Sequence, residues 1–273
     1  MSHLDHGASA AGEFPIAFTL LAVTALLYLR GWFRLRSATE GVTLQQHLAS
    51  FLIGLSLIWV AVDSPLAALD HRLLTVHMIQ HLLLMSLAAP LILLSKPVLV
   101  MVRGLPQPLV RAAGPWFKRP LVRQIGRATV NPVLCWLAAA AALVGWHVPA
   151  ALALGMQSQG WHVFQHASFL GAGLLFWWPV VQPWPSEQAA GWSLVLYLFL
   201  ATLPCDVLSG FLVFSERIAY PVYLAGPNRS SLSVFQDQQA AGALMWTVVT
   251  IVYLVAGTIV AARLLSPRTV VVT

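Results

Sequence analysis

The segment HMIQH, residues 77–81, sets two imidazoles one helical turn apart at the start of a long apolar run. Side chains at i and i+4 share a helix face, and Met85 continues the stripe one turn deeper. A second segment, WHVFQH, repeats the spacing with His162 and His166 at the start of another apolar run, and GWHVP ends a third run on His147, where Pro149 predicts the close of the helix. Further on, Cys205 and Asp206 follow Pro204, whose missing N–H loosens a helix, and Met245 lies about two turns beyond Asp237 in the last apolar run. These are metal-ligating residue types. Imidazoles alone suit Cu(II) or zinc, whereas adding Met85, Met245 or Cys205 tilts a site toward Cu(I), and sites for magnesium or calcium would need more carboxylates. Copper is the expected ion, as Cu(I) or Cu(II), with zinc in reserve. Asp206 or Asp237 is expected to act beside the metal, orienting an imidazole through its second nitrogen. Because imidazole must shed its proton to bind, affinity is expected to fall below about pH 6.5. Haem is the rival cofactor, since paired axial histidines on facing helices can hold it. An i,i+4 pair on each of two helices at one depth would then require two crowded haems.

The elements that must position these groups are membrane helices. Of the 273 residues, 59% are hydrophobic and 9% charged, and the mean hydropathy is +0.78. A soluble protein's polar shell cannot be built from that composition. Apolar runs fall near Phe14–Phe33, His47–Asp63, Leu74–Leu94, Pro132–Pro149, Trp161–Val181, Trp192–Phe214 and Gln239–Leu264. Each has about the length a hydrocarbon core requires. The runs are continuous rather than alternating, and backbone groups in lipid need partners within their own segment, so the expected fold is all-α. The expectation is a polytopic bundle of about seven transmembrane helices forming a single integral membrane domain over residues 1–273.

Lys and Arg placement orients the bundle. Arg30, Arg34 and Arg36 follow the first run, seven basic residues fill the connection 95–131, and Arg263 and Arg268 follow the last run. All three groups fall on one side, which makes it cytoplasmic. The N-terminus is then outside with residues 1–13 as a periplasmic tail, the C-terminus is cytoplasmic, and 95–131 is a basic cytoplasmic connection, in part an interfacial helix. The tail lacks the basic region of a cleaved signal, so the first span is expected to be retained. The net charge of +6 therefore reads as a topology signal, with no nucleic-acid partner.

On this topology His77, His81, His147, His162 and His166 converge at one level near the outer boundary, with Asp70 and His71 just outside in a connection. Other features have plain structural readings. Tryptophans near run ends form an interfacial belt, and Gly171 and Gly173 permit close helix packing. Cys135 and Cys205 should lie toward opposite faces, too far apart for a disulfide.

The segments HMIQHLLLMSLAAPLILLSKP, GWHVP, HVFQHASFLGAGLLFWWP and DQQAAGALMW, in that order, resemble the CtaG-type cytochrome c oxidase assembly factors of bacteria. The likeness covers roughly residues 45–265. That seven-span family is associated with maturation of copper-containing terminal oxidases. The resemblance implies a non-enzymatic role in the bacterial cytoplasmic (inner) membrane, helping an oxidase acquire its copper centre on the outer side. The family's motif histidines match His77, His81, His147, His162 and His166, and its aspartate–glutamine motif matches Asp237 and Gln238. Implied partners are an oxidase subunit docked in the lipid bilayer and a periplasmic copper donor. The chain lacks the soluble copper domain and cysteine pair of the unrelated single-span chaperones that share the family's name. A copper transporter would need a polar path through the bundle, and the inner half offers no matching ladder of Met, Cys or His.

Overall fold

The computed structural model describes residues 6–36, 42–117, 119–128, 131–181, 191–224 and 232–266, and every regular element among them is helical. In chain order these are α1 (His6–Arg36), α2 (Val42–Asp63), α3 (Leu74–Leu82), a π-helical segment (Leu83–Ala88), α4 (Ala89–Leu94), α5 (Pro97–Gly104), α6 (Gln107–Phe117) and α7 (Pro120–Ala128). There follow α8 (Pro132–His147), α9 (Pro149–Gln157), α10 (Gln159–Val181), α11 (Trp192–Phe214) and α12 (Val234–Leu265). Helix ends that sequence rules anticipate are present. Asn131 caps α8 by accepting from the N–H groups of Val133 and Leu134, and Ser233 and Gln236 form a reciprocal capping box on α12.

Among the described residues, five stretches are long and apolar enough to cross a membrane: Ala17–Arg36, Thr43–Leu69, Leu74–Leu94, Trp192–Phe214 and Val234–Leu265. The pair α8–α9 adds a sixth if taken as one broken span. The remaining expected span, Trp161–Val181, is the 23-residue α10, which has the length but is diluted by Gln159, His162, Gln165 and His166. Its partners α8, α4 and the π segment surround it in the bundle.

Three features depart from the simple reading of the sequence. Of the expected tail 1–13, residues 1–5 lie outside the described residues, and the chain is helical from His6. The fourth span ends at His147, but the chain then bends by 78° at extended Val148 and continues as α9, whose Leu152 and Gly155 are buried. The bend follows from the residue before a proline being driven out of the helical region. The connection 95–131 holds three helices, and the first packs into the bundle. Lys96 adopts a left-handed φ of 51°, turning α5 back along α1, where Gly31 faces the Val100 carbonyl and Gly104 faces that of Leu27. A Cβ at either glycine would meet those backbone atoms, so only hydrogen fits. Of the two glycines expected to ease packing in α10, Gly173 lies against Met85 and Ala89, whereas Gly171 faces open space. Helix α11 continues through Pro204, as prolines in membrane helices often allow.

The buried apolar residues form two clusters. A small one joins α1, α2 and α5 through Tyr28, Trp32, Phe51 and Val100. The larger joins α3, α4, α8, α10, α11 and α12, and the histidines sit at one end of it.

Candidate metal centre

Six imidazoles from three helices and one connection form a continuous chain. His71 lies 5.3 Å from His162 between ring centroids, His162 lies 4.3 Å from His166, His166 lies 6.3 Å from His81, and His81 lies 4.1 Å from His77 and 6.0 Å from His147. His81 is the hub, stacked on Phe169 at 3.9 Å. The five histidines expected to converge do so, together with His71 and Asp70. Access is graded along the chain: the His71 side chain is 51% exposed and that of His162 12%, whereas His77 is fully buried.

At the open end Asp70, His71 and His162 offer ligand atoms that all lie within 4.8 Å of one another. Asp70 is itself buried, with Oδ2 at 2.7 Å from His162 Nε2 and Oδ1 at 3.7 Å from His71 Nε2. The 2.7 Å approach is a close contact that does not meet hydrogen-bond geometry, so both oxygens keep uncommitted lone pairs. Burial disfavours this carboxylate's charge. The contact with His162 and the surrounding imidazoles of His162, His71 and His77 outweigh burial and hold Asp70 below the usual carboxylate range. The result is a fixed anion at the mouth of the cluster.

Beneath it the polar groups are buried without partners. Both ring nitrogens of His77 and of His81, and Nε2 of His166, lack a hydrogen-bond partner. A buried, unmet polar atom costs about 1–3 kcal/mol, and several in one place make this end of the bundle a candidate ligand site. His147 is arranged differently. Its Nδ1 donates to the Leu143 carbonyl at 2.6 Å, and its Nε2 lies 3.3 Å from Met78 Sδ. Tyr220 holds the backbone there, its hydroxyl donating to the His147 carbonyl at 2.9 Å.

Deeper still lies a cavity of about 30 Å³ lined by Met78, His81, Met85, His147, Cys205 and Met245 among other residues. Met85, Cys205 and Met245, expected as soft ligands, therefore do meet two of the histidines. The Cys205 thiol is already engaged, 3.8 Å from the Met245 carbonyl and 3.7 Å from Ser209 Oγ.

The two aspartates expected beside the metal stand elsewhere. Asp237 accepts from the N–H groups of Leu74 at 2.6 Å and Thr75 at 3.2 Å, and from the Thr75 hydroxyl at 2.6 Å. It caps α3 and so fixes the helix that carries His77, instead of orienting an imidazole directly. Gln238 does similar work, accepting from the Ala219 N–H at 2.7 Å and donating to the Arg217 carbonyl at 3.1 Å. Asp206 is half-buried on α11 next to Cys205, outside both the Asp70 group and the cavity lining. The carboxylate that does meet the histidines, Asp70, comes from the connection before α3, and its adjacency to His71 was the available signal. Met78 was legible as the start of a Met78, His81, Met85 stripe at i, i+3, i+7.

The model of the cytochrome c oxidase caa3 assembly factor family matches residues 26–266. No curated protein and no solved structure matches the chain.

Proposed function

We propose that this chain, which belongs to the cytochrome c oxidase caa3 assembly factor family, serves its oxidase by holding copper as cargo at the histidine cluster and releasing it by ligand exchange. The observation that carries the reading is the run of six imidazoles with ring spacings of 4.1–6.3 Å, beginning at an exposed histidine and a buried carboxylate and ending on imidazoles with unmet nitrogens. Neutral imidazole is a common ligand for copper, and successive ligands at this spacing let an ion move without ever losing all its partners.

Asp70 draws the cation electrostatically, His71 and His162 take it first, and His166, His77 and His81 receive it next. The orientation argued from the basic residues puts this end on the outer face of the inner membrane. There a periplasmic donor supplies copper and an oxidase subunit in the bilayer collects it. The role is non-catalytic. A haem carrier fits less well, because a ligand of that size needs a cavity of roughly 300 Å³ or more and the space beside His81 and His147 is about 30 Å³.

The test is metal content and optical spectrum of the detergent-purified full chain beside a His77→Ala/His81→Ala double variant, with oxidase copper content measured in cells carrying each. The expected result is bound copper in the wild type, loss in the variant and a copper-deficient oxidase. Wild-type protein that stays metal-free after copper loading would sink the reading, and a Soret band would replace it with haem.

A further inference from the structure

We propose that the cavity beneath His81 is a second metal site, separate from Asp70, His71 and His162, that takes a cuprous ion on Met78 and His147 with His81, Met85 and Met245 around it; this rests on the reading of the chain as a copper carrier.

The geometry at His147 carries the inference. A carbonyl oxygen can only accept, so the proton of the neutral His147 ring is on Nδ1, where Leu143 receives it. The lone pair is then on Nε2, and it faces the lone pairs of Met78 Sδ at 3.3 Å with no proton between them. Two electron-pair donors held face to face in a buried place gain nothing from each other and both gain from a soft cation. His81, which is 5% exposed, lines the same cavity and has neither ring nitrogen partnered.

Charge and softness choose the ion. No carboxylate lines the cavity, and the cost of placing an ion in a low-dielectric interior rises with the square of its charge, so a monovalent ion is strongly favoured over a divalent one. Thioethers add selectivity for Cu(I). The outer group has the opposite character, a carboxylate and two imidazoles near water, which suits a divalent borderline ion. Cys205 is a neutral thiol tied to a carbonyl, and the site requires no thiolate.

The backbone under Met85 is pinned as a ligand-bearing segment should be. It lies in the π-helical stretch, its carbonyl accepts from Trp177 Nε1 at 3.0 Å, and Gly173 presses so closely that a Cβ there would come within 2.8 Å of Met85 backbone atoms.

The experiment loads the full chain in detergent with Cu(I) under anaerobic conditions, and separately with Zn(II) as a divalent probe. Affinity is read by competition and the copper ligands by X-ray absorption. Met78→Leu and Met85→Leu conserve volume and keep the fold, each serving as a check on the other. Wild-type copper should show sulfur neighbours, and the double leucine variant should show fewer of them, with Cu(I) affinity falling about tenfold or more, while Zn(II) affinity holds. Asp70→Asn should do the reverse. Copper bound with only nitrogen and oxygen neighbours, unmoved by the leucines, would overturn the second site and leave the copper reading standing. Leucines that abolish Cu(I) and Zn(II) binding together would overturn the separation of the two sites. No copper in the wild type would overturn both.

Discussion

The packing unit of α1, α2 and α5 and the histidine end of the bundle treat buried polar atoms in opposite ways. In the first, the Tyr28 hydroxyl donates to the Ser95 carbonyl at 2.8 Å, Trp32 Nε1 to that of Leu44 at 2.9 Å and the Ser50 hydroxyl to that of Leu91 at 2.7 Å. In the second, the nitrogens of His77 and His81 go without. Both regions belong to one membrane chain, so this fold can satisfy buried groups where stability is the only demand. On the proposed copper reading, the orphaned nitrogens are a cost retained for function.

The comparison breaks hardest at the glycine contact of the first region. Gly31→Ala pushes a methyl into the Val100 carbonyl, and the expected destabilisation is at or above the upper end of the roughly 1–3 kcal/mol usual for overpacking. Thermal unfolding in detergent measures it, and copper stoichiometry of the folded fraction should not change. Next in size, His77→Leu replaces two unmet nitrogens with an apolar side chain of similar volume. Metal-free protein should gain about 1–3 kcal/mol while copper uptake weakens, and a loss of metal-free stability would show that those nitrogens do have partners. Comparable in size is Tyr28→Phe, which strands the buried Ser95 carbonyl at a cost of about 1–3 kcal/mol with no effect on metal.

The finest test concerns pH. Asp70 is held below the usual carboxylate range, so it is charged at neutral and mildly acidic pH and becomes neutral only as pH falls through that lowered value. Any weakening of metal binding between about pH 7.5 and 5.5 therefore does not come from loss of the Asp70 charge. Asp70→Asn should lower affinity at every pH in that window, because the carboxylate it removes stays charged throughout. An unchanged affinity would mean that the carboxylate takes no part in holding the metal.

Much of the candidate site could be read from local pattern. The pairs His77/His81 and His162/His166 announce shared faces because helical period is a property of the chain alone, and the end of α8 at His147 is written in the Pro149 that follows. Asp237 shows where such reading stops. It looked like a carboxylate beside a metal, but its partners Leu74 and Thr75 lie 163 and 162 residues away in sequence, and only packing of α12 against α3 could reveal a helix cap supplied from that distance. Asp70 went the other way, from a connection with no periodicity to constrain it into contact with α10.

The sequence by itself determined that this protein is a helical membrane chain and that its imidazoles cluster at one end, because composition, period and proline placement act within single segments. Tertiary structure alone decided which donors face one another: Asp70 with His162, and Met78 with His147. It also decided which polar atoms go unpaired, since contact between segments depends on how helices cross, and no single segment carries that information.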